Sequence, residues 1–327
     1  MKIIIYGAGA IGSVVGGYLR RAGHDVELIG RGEHIRVIQE RGLKLVSPGG
    51  TQVIRVPAVT NPDRIKFKTD DVVFLCMKGQ DTENALRDLR DSAGDIPVFC
   101  LQNGIRNEEL AVSYFRRVYG VMIRIGAEYI VPGEATSRRD PPGWLIIGRY
   151  PRGKDELAET VGEKVRSSGF LVKLTDDVMP YKWGKLMANL GNAVDAITGG
   201  EGQEIEIINQ AARQELIDCL KQAGIRWIAQ EQISREWPET NIIRDSLKTR
   251  QHSSTWQSLT RQQGSAETEF LNGEVVRLGE RLGRSVPVNA TLNQITQEMA
   301  IRKELPGKFT ARQLCLKLNL SCESTPE

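Results

Sequence analysis

In the first 175 residues, short apolar strands alternate with amphipathic helices. Residues 2–6 form a β-branched apolar run that leads directly into glycines, and helical spacing follows. Strands are predicted at 2–6, 25–29, 43–46, 53–57, 71–77 and 97–101, and helices at 10–22, 32–41 and 80–92. Strands that are apolar throughout and alternate with helices predict a parallel sheet covered on both faces.

The pattern changes twice farther along the chain. The stretch 120–149 is typical of antiparallel strands joined by a turn-rich segment, and a helix at 154–168 and a strand at 170–174 follow. From about residue 178 the strand patterns stop and helical periodicity continues. We therefore predict an α/β fold class with three parts: a doubly wound sheet domain in 1–176, an all-helical domain in 177–320, and a flexible tail in 321–327.

A glycine motif lies between the first strand and the first helix. It is G-x-G-x-x-G, formed by Gly7, Ala8, Gly9, Ala10, Ile11 and Gly12. In this context the glycines serve a tight turn, close backbone approach to a pyrophosphate, and close helix–sheet packing. The N-terminus of the helix adds amide donors and a positive dipole end. The motif predicts dinucleotide binding; a packing turn in a flavodoxin-like sheet is the alternative.

The end of the second strand indicates which dinucleotide is bound. NAD sites usually carry an acidic residue there, whereas this chain has Arg31 between two glycines. Asp25 and Glu27 come too early in the strand to serve as that acidic residue. An arginine can bind a 2′-phosphate through its fork of donors, so we predict NADP (NADPH) as the cofactor. A solvated loop arginine is the alternative.

Composition narrows the choice of partners. The 327 residues are 40% hydrophobic and 26% charged, with a net charge of +3 and no block of five or six like charges. Nucleic acid and membrane partners are therefore not expected, and no apolar run approaches the length of a membrane helix. The five cysteines and three histidines show neither metal-binding spacing nor a disulfide framework. We expect a cytoplasmic protein without a metal; the sequence leaves the oligomeric state open, a homodimer included.

Polar residues recur inside an apolar segment at 181–200. Lys185, Asn189 and Asn192 are spaced i, i+4 and i+7, so they share one face of a predicted helix. A lysine and two amides in so apolar a segment are costly to bury without partners. They either line a polar cleft or form an ordinary exposed stripe on an amphipathic helix.

A second polar group falls in residues 252–292. Glu267 and Glu274 lie at the edge of an apolar helical face, and helical phase does not choose between them as functional acids. Ser253 and Ser254 are candidate helix caps, which is a sufficient structural reason for their presence.

Together these segments resemble the ketopantoate reductase (2-dehydropantoate 2-reductase) family over nearly the whole chain. The matching pieces occur in order: GAGAIG, HDVELIGRGEH, FLCMKGQDTENAL, LQNG, KWGKLMAN, SSTWQS and ETEFLNGEVVRLG. The resemblance implies an N-terminal Rossmann domain, a C-terminal helical domain, and an active site in the cleft between them. It further implies NADPH-dependent reduction of a 2-oxo acid, ketopantoate first of all, to a 2-hydroxy acid.

The resemblance also implies a role for each matching residue. Lys185 matches the catalytic lysine that protonates the developing alkoxide, and Glu267 matches the acid that holds the substrate hydroxyl or the lysine. Substrate-binding positions match Asn189, Asn192, Ser254 and Asn103. Cofactor-binding positions match Gly7, Ala8, Gly9, Ala10, Ile11, Gly12, Arg31, Lys78 and Asn103.

Several departures from the family pattern leave the substrate open. Asn192 lies three residues after Asn189, whereas the family's second asparagine usually lies four after the first. Thr255 and Trp256 replace a common Met-Leu pair. Ala266 stands where the family has a threonine, and Ser258 and Glu269 stand where it has aspartates. The interval from Ser254 to Glu267 is also one residue longer than usual. The alternatives are a relative that reduces another branched or aromatic 2-oxo acid and a non-catalytic NADP-binding sensor.

Overall fold

The fold is described from a computed structural model, which covers residues 1–241, 252–262 and 264–321. Most of the predicted tail, residues 322–327, lies outside the described residues. The chain divides into two compact units: Met1–Lys182 with Ala229–Lys248, and Trp183–Ile228 with Thr249–Glu327.

The first unit contains all the strands of the described chain. They are β1 Ile3–Tyr6, β2 Val26–Ile29, β3 Leu43–Ser47, β4 Gly50–Ile54, β5 Ala58–Val59, β6 Val72–Leu75, β7 Val98–Cys100, β8 Val118–Ile125, β9 Ala127–Glu128, β10 Glu134–Ser137, β11 Gly143–Arg149 and β12 Leu171–Leu174. The helices up to the end of β12 are α1 Ala10–Arg21, α2 Gly32–Arg41, α3 Thr82–Ala93, α4 Asn107–Ala111 and α5 Glu156–Ser167.

Eight strands form the main sheet in the order β12-β11-β8-β7-β6-β1-β2-β5. Six neighbouring strands of this sheet are parallel to one another, namely β8, β7, β6, β1, β2 and β5, and β11 is antiparallel to β8. The parallel core and the antiparallel strands near 120–149 are thus as predicted. Since β1 connects through α1 to β2 on one side and its other neighbour is β6, the topological switch point lies at the carboxyl end of β1.

Side-chain alternation in β1 shows that both faces of the main sheet are buried. Ile3 and Ile5 belong to one core with Val14, whereas Ile4 belongs to a second core with Leu86. Adjacent residues of a strand point to opposite faces, so an unbroken apolar run is what a strand covered on both sides requires. The expected doubly wound arrangement is confirmed.

A second, four-stranded sheet has the order β4-β3-β10-β9. Its β3 and β4 form a hairpin, and β10 pairs parallel to β3. The sequence predicted strands near these positions, but local periodicity does not tell which sheet a strand joins.

The remaining helices are α6 Met179–Asn189, α7 Gly191–Thr198, α8 Ile205–Gln222, α9 Gln230–Glu236, α10 Ser254–Thr260, α11 Asn272–Leu282, α12 Pro287–Ile301 and α13 Ala311–Lys317. The division between the units falls within α6. The segment that contains α9 belongs to the first unit, where Trp237 packs edge-on against Trp144 of β11 and Gln230 accepts a hydrogen bond from Arg124 of β8.

No helix in the described part of the chain is long and apolar enough to span a membrane. The same residues hold no cluster of three or more His, Cys, Asp or Glu side chains that could bind a metal ion. Cys315 is disulfide-bonded, whereas Cys76, Cys100 and Cys219 are free thiols. Spacing along the chain does not report which thiols the fold brings together.

Candidate active site

The glycine loop connects β1 to α1 and touches the loop that follows β6. Gly7 has φ +106°, and a Cβ there would lie 2.4 Å from the backbone nitrogen of Met77. A Cβ on Gly12 would lie 2.2 Å from the carbonyl oxygen of Gly7. The amides of Gly7 and Ala8 both donate to the carbonyl of Ile29, at 2.9 Å each. The first and third glycines are therefore required by close backbone packing.

Gly9 differs from its neighbours because it faces open space. No heavy atom lies within 4 Å of a Cβ built on it. It precedes α1 as the N-cap residue, without a side-chain cap, and the first turn contains no acidic residue. Helix geometry leaves the first amides, those of Ala10 to Gly12, without acceptors inside the helix. This cradle fits the pyrophosphate of a dinucleotide, since both the space and the donors are present.

Arg31 lies at the end of β2, beside the glycine loop. Gly30 lies so close to the loop that a Cβ there would be 3.1 Å from Cβ of Ala8. Arg31 is the N-cap residue of α2, its side chain is 79% exposed, and its Nη2 donates to Oδ1 of Asp81 at 3.1 Å. The guanidinium thus stands at the carboxyl edge of the sheet, where the ribose of a dinucleotide is bound in this fold.

Lys78 and Asn103 follow the neighbouring strands β6 and β7, and both are half-buried. The amide Nε2 of Gln102 donates to the carbonyl of Met77 at 3.0 Å, which joins the two loops. Since Met77 also touches Gly7, the structure brings Lys78, Asn103 and the glycine loop to one edge of the sheet.

A buried polar network that the sequence analysis missed supports these loops. Gln102 Nε2 donates to Thr82 Oγ1 at 2.7 Å, Thr82 Oγ1 donates to Asn107 Oδ1 at 3.0 Å, and Asn107 Nδ2 donates to the carbonyl of Asn103 at 2.8 Å. All three side chains are less than 5% exposed. Local periodicity contains no signal for this network, because its members come from separate segments.

A second missed feature lies behind the phosphate cradle. His34 of α2 is buried, and its Nδ1 accepts a hydrogen bond from the amide of Gly133 at 2.9 Å. The ring proton is therefore on Nε2, which donates to Oγ of Ser13 in α1 at 3.0 Å. Burial lowers the pKa of His34 to about 4. The histidine joins α1, α2 and the segment before β10 as a neutral side chain.

In the second unit, the predicted helix over 181–200 is divided. Lys185 lies in α6 and Asn189 ends it, whereas Asn192 lies in α7, after the break at Leu190. Leu190 itself keeps right-handed helical angles, φ −59° and ψ −32°. Asn189 is 7% exposed, and its Nδ2 has no acceptor among the described residues. Lys185 and Asn192 are half-buried.

Ser254 begins α10, and Ser253 is the residue that caps it. Ser253 Oγ accepts from the amide of Trp256 at 3.1 Å and donates to the carbonyl of Asn192 at 3.2 Å. The backbone amide of Ser253 also donates to Asp195 Oδ2 at 2.8 Å. These bonds fix α10 against α7, which leaves Ser254 Oγ free of a capping task. That oxygen is buried and has no hydrogen-bond partner in the described chain.

The structure separates the two candidate acids. Glu267 is 6% exposed and begins a short 3₁₀ helix, Glu267–Phe270. Glu274 lies in α11 and is paired with Arg277, with Nη2 to Oε2 at 3.0 Å. Both acids are buried, and the arginine partner of Glu274 comes from the same helix, one turn farther along.

Comparison with known proteins gives the same family along both units. The family model described as ketopantoate reductase PanE/ApbA matches residues 3–152, and that described as ketopantoate reductase PanE/ApbA C terminal matches residues 177–300. The 2-dehydropantoate 2-reductase of Pyrococcus horikoshii is 33% identical over 301 residues, covering 89% of this chain and 95% of the relative. That of Archaeoglobus fulgidus is 28% identical over 295 residues, covering 89% and 95%.

Solved structures agree with the sequence matches. A PanE/ApbA family ketopantoate reductase from Ralstonia eutropha has a TM-score of 0.78 at 28% identity, covering 93% of this chain and 99% of its own. A D-mandelate dehydrogenase solved with NADH and anilino(oxo)acetate has a TM-score of 0.79 at 23% identity, covering 93% and 100%; it shares the fold. With both parts of the family model matched in order, the chain belongs to the ketopantoate reductase PanE/ApbA family.

Proposed function

We propose that this chain reduces a 2-oxo acid to a 2-hydroxy acid with NADPH, and that its principal substrate is ketopantoate (2-dehydropantoate). The observation that carries the proposal is the pair of polar atoms Asn189 Nδ2 and Ser254 Oγ, both buried and both without partners among the described residues. Unpaired buried polar atoms are costly in a folded protein unless a ligand satisfies them. The 2-oxo acids that family members reduce carry the carboxylate and oxygen atoms that would do so.

The proposed roles in the second unit follow from the chemistry of each side chain. Lys185 donates a proton to the oxygen of the 2-oxo group as that oxygen gains negative charge. Glu267 accepts a hydrogen bond from the substrate hydroxyl or from the lysine. Asn189, Asn192 and Ser254 hold the polar groups of the substrate, its carboxylate included.

The proposed roles in the first unit concern the cofactor. The Gly7–Gly12 loop and the first amides of α1 hold the pyrophosphate, and Lys78 and Asn103 bind the nicotinamide end of the cofactor. When bound, the nicotinamide supplies the hydride that the carbonyl carbon receives. We assign the cofactor to residues 1–176 and the substrate to residues 177–320.

We assign NADPH rather than NADH on the basis of Arg31. No acidic side chain follows β2 at the position where NAD sites carry one, and the exposed guanidinium offers donors to a 2′-phosphate. The homodimer is the assembly to test, because a structurally similar ketopantoate reductase from Staphylococcus aureus is described as dimeric.

An aromatic 2-oxo acid is the second candidate substrate, and one contact favours it. The rings of His252 and Trp256 stack at 3.9 Å with an angle of 10° between their planes, two residues on either side of Ser254. A flat aromatic surface next to a carboxylate-binding serine suits an aromatic substituent on the substrate.

A panel of 2-oxo acids assayed with NADPH and with NADH tests the proposal. We expect the highest kcat/KM for ketopantoate with NADPH. Faster turnover of phenylglyoxylate or phenylpyruvate would instead support the aromatic candidate. Binding of NADPH without turnover of any 2-oxo acid would leave only the cofactor-binding sensor.

A further inference from the structure

A chain of buried side-chain amides runs through the second unit. Asn289 of α12 donates from Nδ2 to the carbonyl of Ala212 at 2.9 Å and to Glu215 Oε2 at 2.8 Å, both on α8. Its Oδ1 accepts from Nδ2 of Asn272, the first residue of α11, at 3.0 Å. Both asparagines are fully buried. The chain therefore links α8, α12 and α11 through side chains that water does not reach.

The chain ends on the helix break next to the proposed catalytic residues. Asn272 Nδ2 also donates to the carbonyl oxygen of Leu190 at 3.3 Å. Leu190 is the single residue between α6 and α7; Asn189 precedes it directly, and Lys185 lies about one helical turn farther back. Leu190 is also the N-cap residue of α7, so its carbonyl lies at the junction of the two helices. The amide hydrogens of Asn272 thus act at the end of the turn that carries Lys185 and Asn189.

The other side of the break is held by close packing. A Cβ on Gly191 would lie 2.9 Å from Oδ1 of Asn209 on α8. The start of α7 therefore approaches α8 so closely that a side chain at position 191 would have to displace the amide of Asn209. The angles of Leu190 are those of a right-handed helix, so these contacts act on a junction whose backbone is not strained.

Burying the amide of Asn272 costs free energy of folding, which argues that its amide hydrogens are needed. Its Oδ1 is buried and accepts no hydrogen bond from any described residue. An apolar side chain of similar size would fill the same space between the helices without an orphaned acceptor. A buried polar group that is only partly satisfied is more often retained at functional sites than in ordinary packing.

We infer that Asn272 is a positioning residue for the proposed reaction: by binding the carbonyl of Leu190 it fixes the last turn of α6, and so the direction of Lys185 and Asn189. This inference rests on the proposed function for its effect on catalysis. The hydrogen bond and the helix break on which it stands do not depend on that function.

The test compares Asn272→Leu with a matched control, Thr296→Val. Thr296 is also fully buried in the second unit, and its Oγ1 donates only to the carbonyl of Leu292 within α12. Each substitution exchanges a buried polar side chain for an apolar one, but only the first removes the bond to Leu190. Thermal unfolding of both variants shows how much stability each has lost.

We expect Asn272→Leu to lower kcat/KM for the 2-oxo acid at least tenfold, mostly through kcat, while the Kd for NADPH stays within twofold of wild type. Amide hydrogen exchange in peptides covering residues 186–194 should be at least tenfold faster than in wild type. Thr296→Val should leave the kinetic constants and the exchange of these peptides unchanged. Equal effects of the two variants, or unchanged exchange in Asn272→Leu, would overturn the inference.

Two further arms keep the test decisive. If Asn272→Leu does not fold, Asn272→Ala takes its place, because alanine is small and has no donor for Leu190; the same comparison of exchange at 186–194 applies. If the wild-type protein reduces no 2-oxo acid, the proposed function fails. The exchange measurement still decides whether Asn272 holds the end of α6.

Discussion

Arg31 and Asp81 form an ion pair across two segments that follow different strands, with Arg31 Nη2 3.1 Å from Asp81 Oδ1. Both side chains are well exposed, at 79% and 41%. A pair this exposed contributes only about 0–1 kcal/mol to stability. The pair therefore adds little to folding, and its carboxylate occupies a donor of Arg31 that a 2′-phosphate would use.

The first prediction follows from this geometry. Arg31→Ala should weaken NADPH binding by about tenfold to a hundredfold, because it removes charge-assisted hydrogen bonds to a 2′-phosphate. NADH has no such phosphate, so its Kd should change less than about twofold. Fluorescence titration with both cofactors measures the two constants.

Asp81→Asn is the complementary variant for the same prediction. It removes the carboxylate that competes with a phosphate for Arg31 while keeping the size of the side chain. NADPH should then bind more tightly than in wild type. Equal losses of NADPH and NADH affinity in Arg31→Ala would contradict the 2′-phosphate role.

The second prediction concerns Gly9. Because a Cβ there meets no atom within 4 Å and φ is −87°, Gly9→Ala should fold with unchanged or slightly higher stability. The new methyl group occupies the space proposed for the pyrophosphate, so the Kd for NADPH should rise at least about tenfold. Isothermal titration measures the affinity, and thermal unfolding measures the stability.

Gly49→Ala is the control for Gly9→Ala. A Cβ on Gly49 has only Ser47 Oγ near it, at 3.9 Å, and this glycine lies in an exposed turn away from the glycine loop. It should leave both stability and NADPH affinity unchanged. Wild-type NADPH affinity in Gly9→Ala would mean that the open space beside Gly9 is not the pyrophosphate site.

Much of the cofactor half could be predicted from the sequence because its signals are local. The glycine loop, the β-branched run before it and Gly42 at the end of α2 each act on their nearest neighbours in the chain. Gly42 ends that helix with φ +86°, a backbone conformation that favours glycine. Burial on both faces of β1 likewise followed from an apolar run without alternation.

The features that were missed depend on contacts between distant segments. The junction at Leu190 is contacted by Asn272, and Asn209 lies close to Gly191 beside it; the two asparagines are 82 and 19 residues farther along the chain than Leu190. The hydrogen bond that Nδ1 of His34 accepts comes from the amide of Gly133, 99 residues away. Helical periodicity describes only the segment itself, so it predicted one continuous face for Lys185, Asn189 and Asn192.

The third prediction tests the proposed proton donor. Lys185→Met keeps the apolar stem of the side chain and removes the ammonium group. We expect kcat for the 2-oxo acid to fall by about 10²–10⁴-fold, the usual contribution of a positioned general acid. The Kd for NADPH should stay within about twofold, since the cofactor is assigned to the first unit.

Lys221→Met is the matched control, since Lys221 is exposed near the end of α8. It should have wild-type kinetics in the same steady-state assays. If Lys185→Met retained wild-type kcat with every 2-oxo acid of the panel, the lysine would not be the general acid.

The fourth prediction is a loss of stability in mild acid caused by His34. Its pKa is lowered to about 4 by burial, against 6.5 in the unfolded chain. Below pH 6.5 the imidazole of His34 becomes protonated in the unfolded chain but stays neutral in the folded protein. The free energy of unfolding therefore falls as the pH drops from 6.5 towards 4. Above pH 6.5 the ring is neutral in both states and its contribution is constant. The loss should be about 2 kcal/mol at pH 5.

His34→Gln separates this effect from other titrations, because glutamine does not titrate and can still accept from Gly133 and donate to Ser13. Urea unfolding of wild type and variant at pH 7 and pH 5 gives the difference in unfolding free energy at each pH. That difference should shift in favour of the variant by about 2 kcal/mol between the two values. A difference that does not change with pH would show that His34 is protonated equally in both states, against the hydrogen bond from Gly133 to Nδ1.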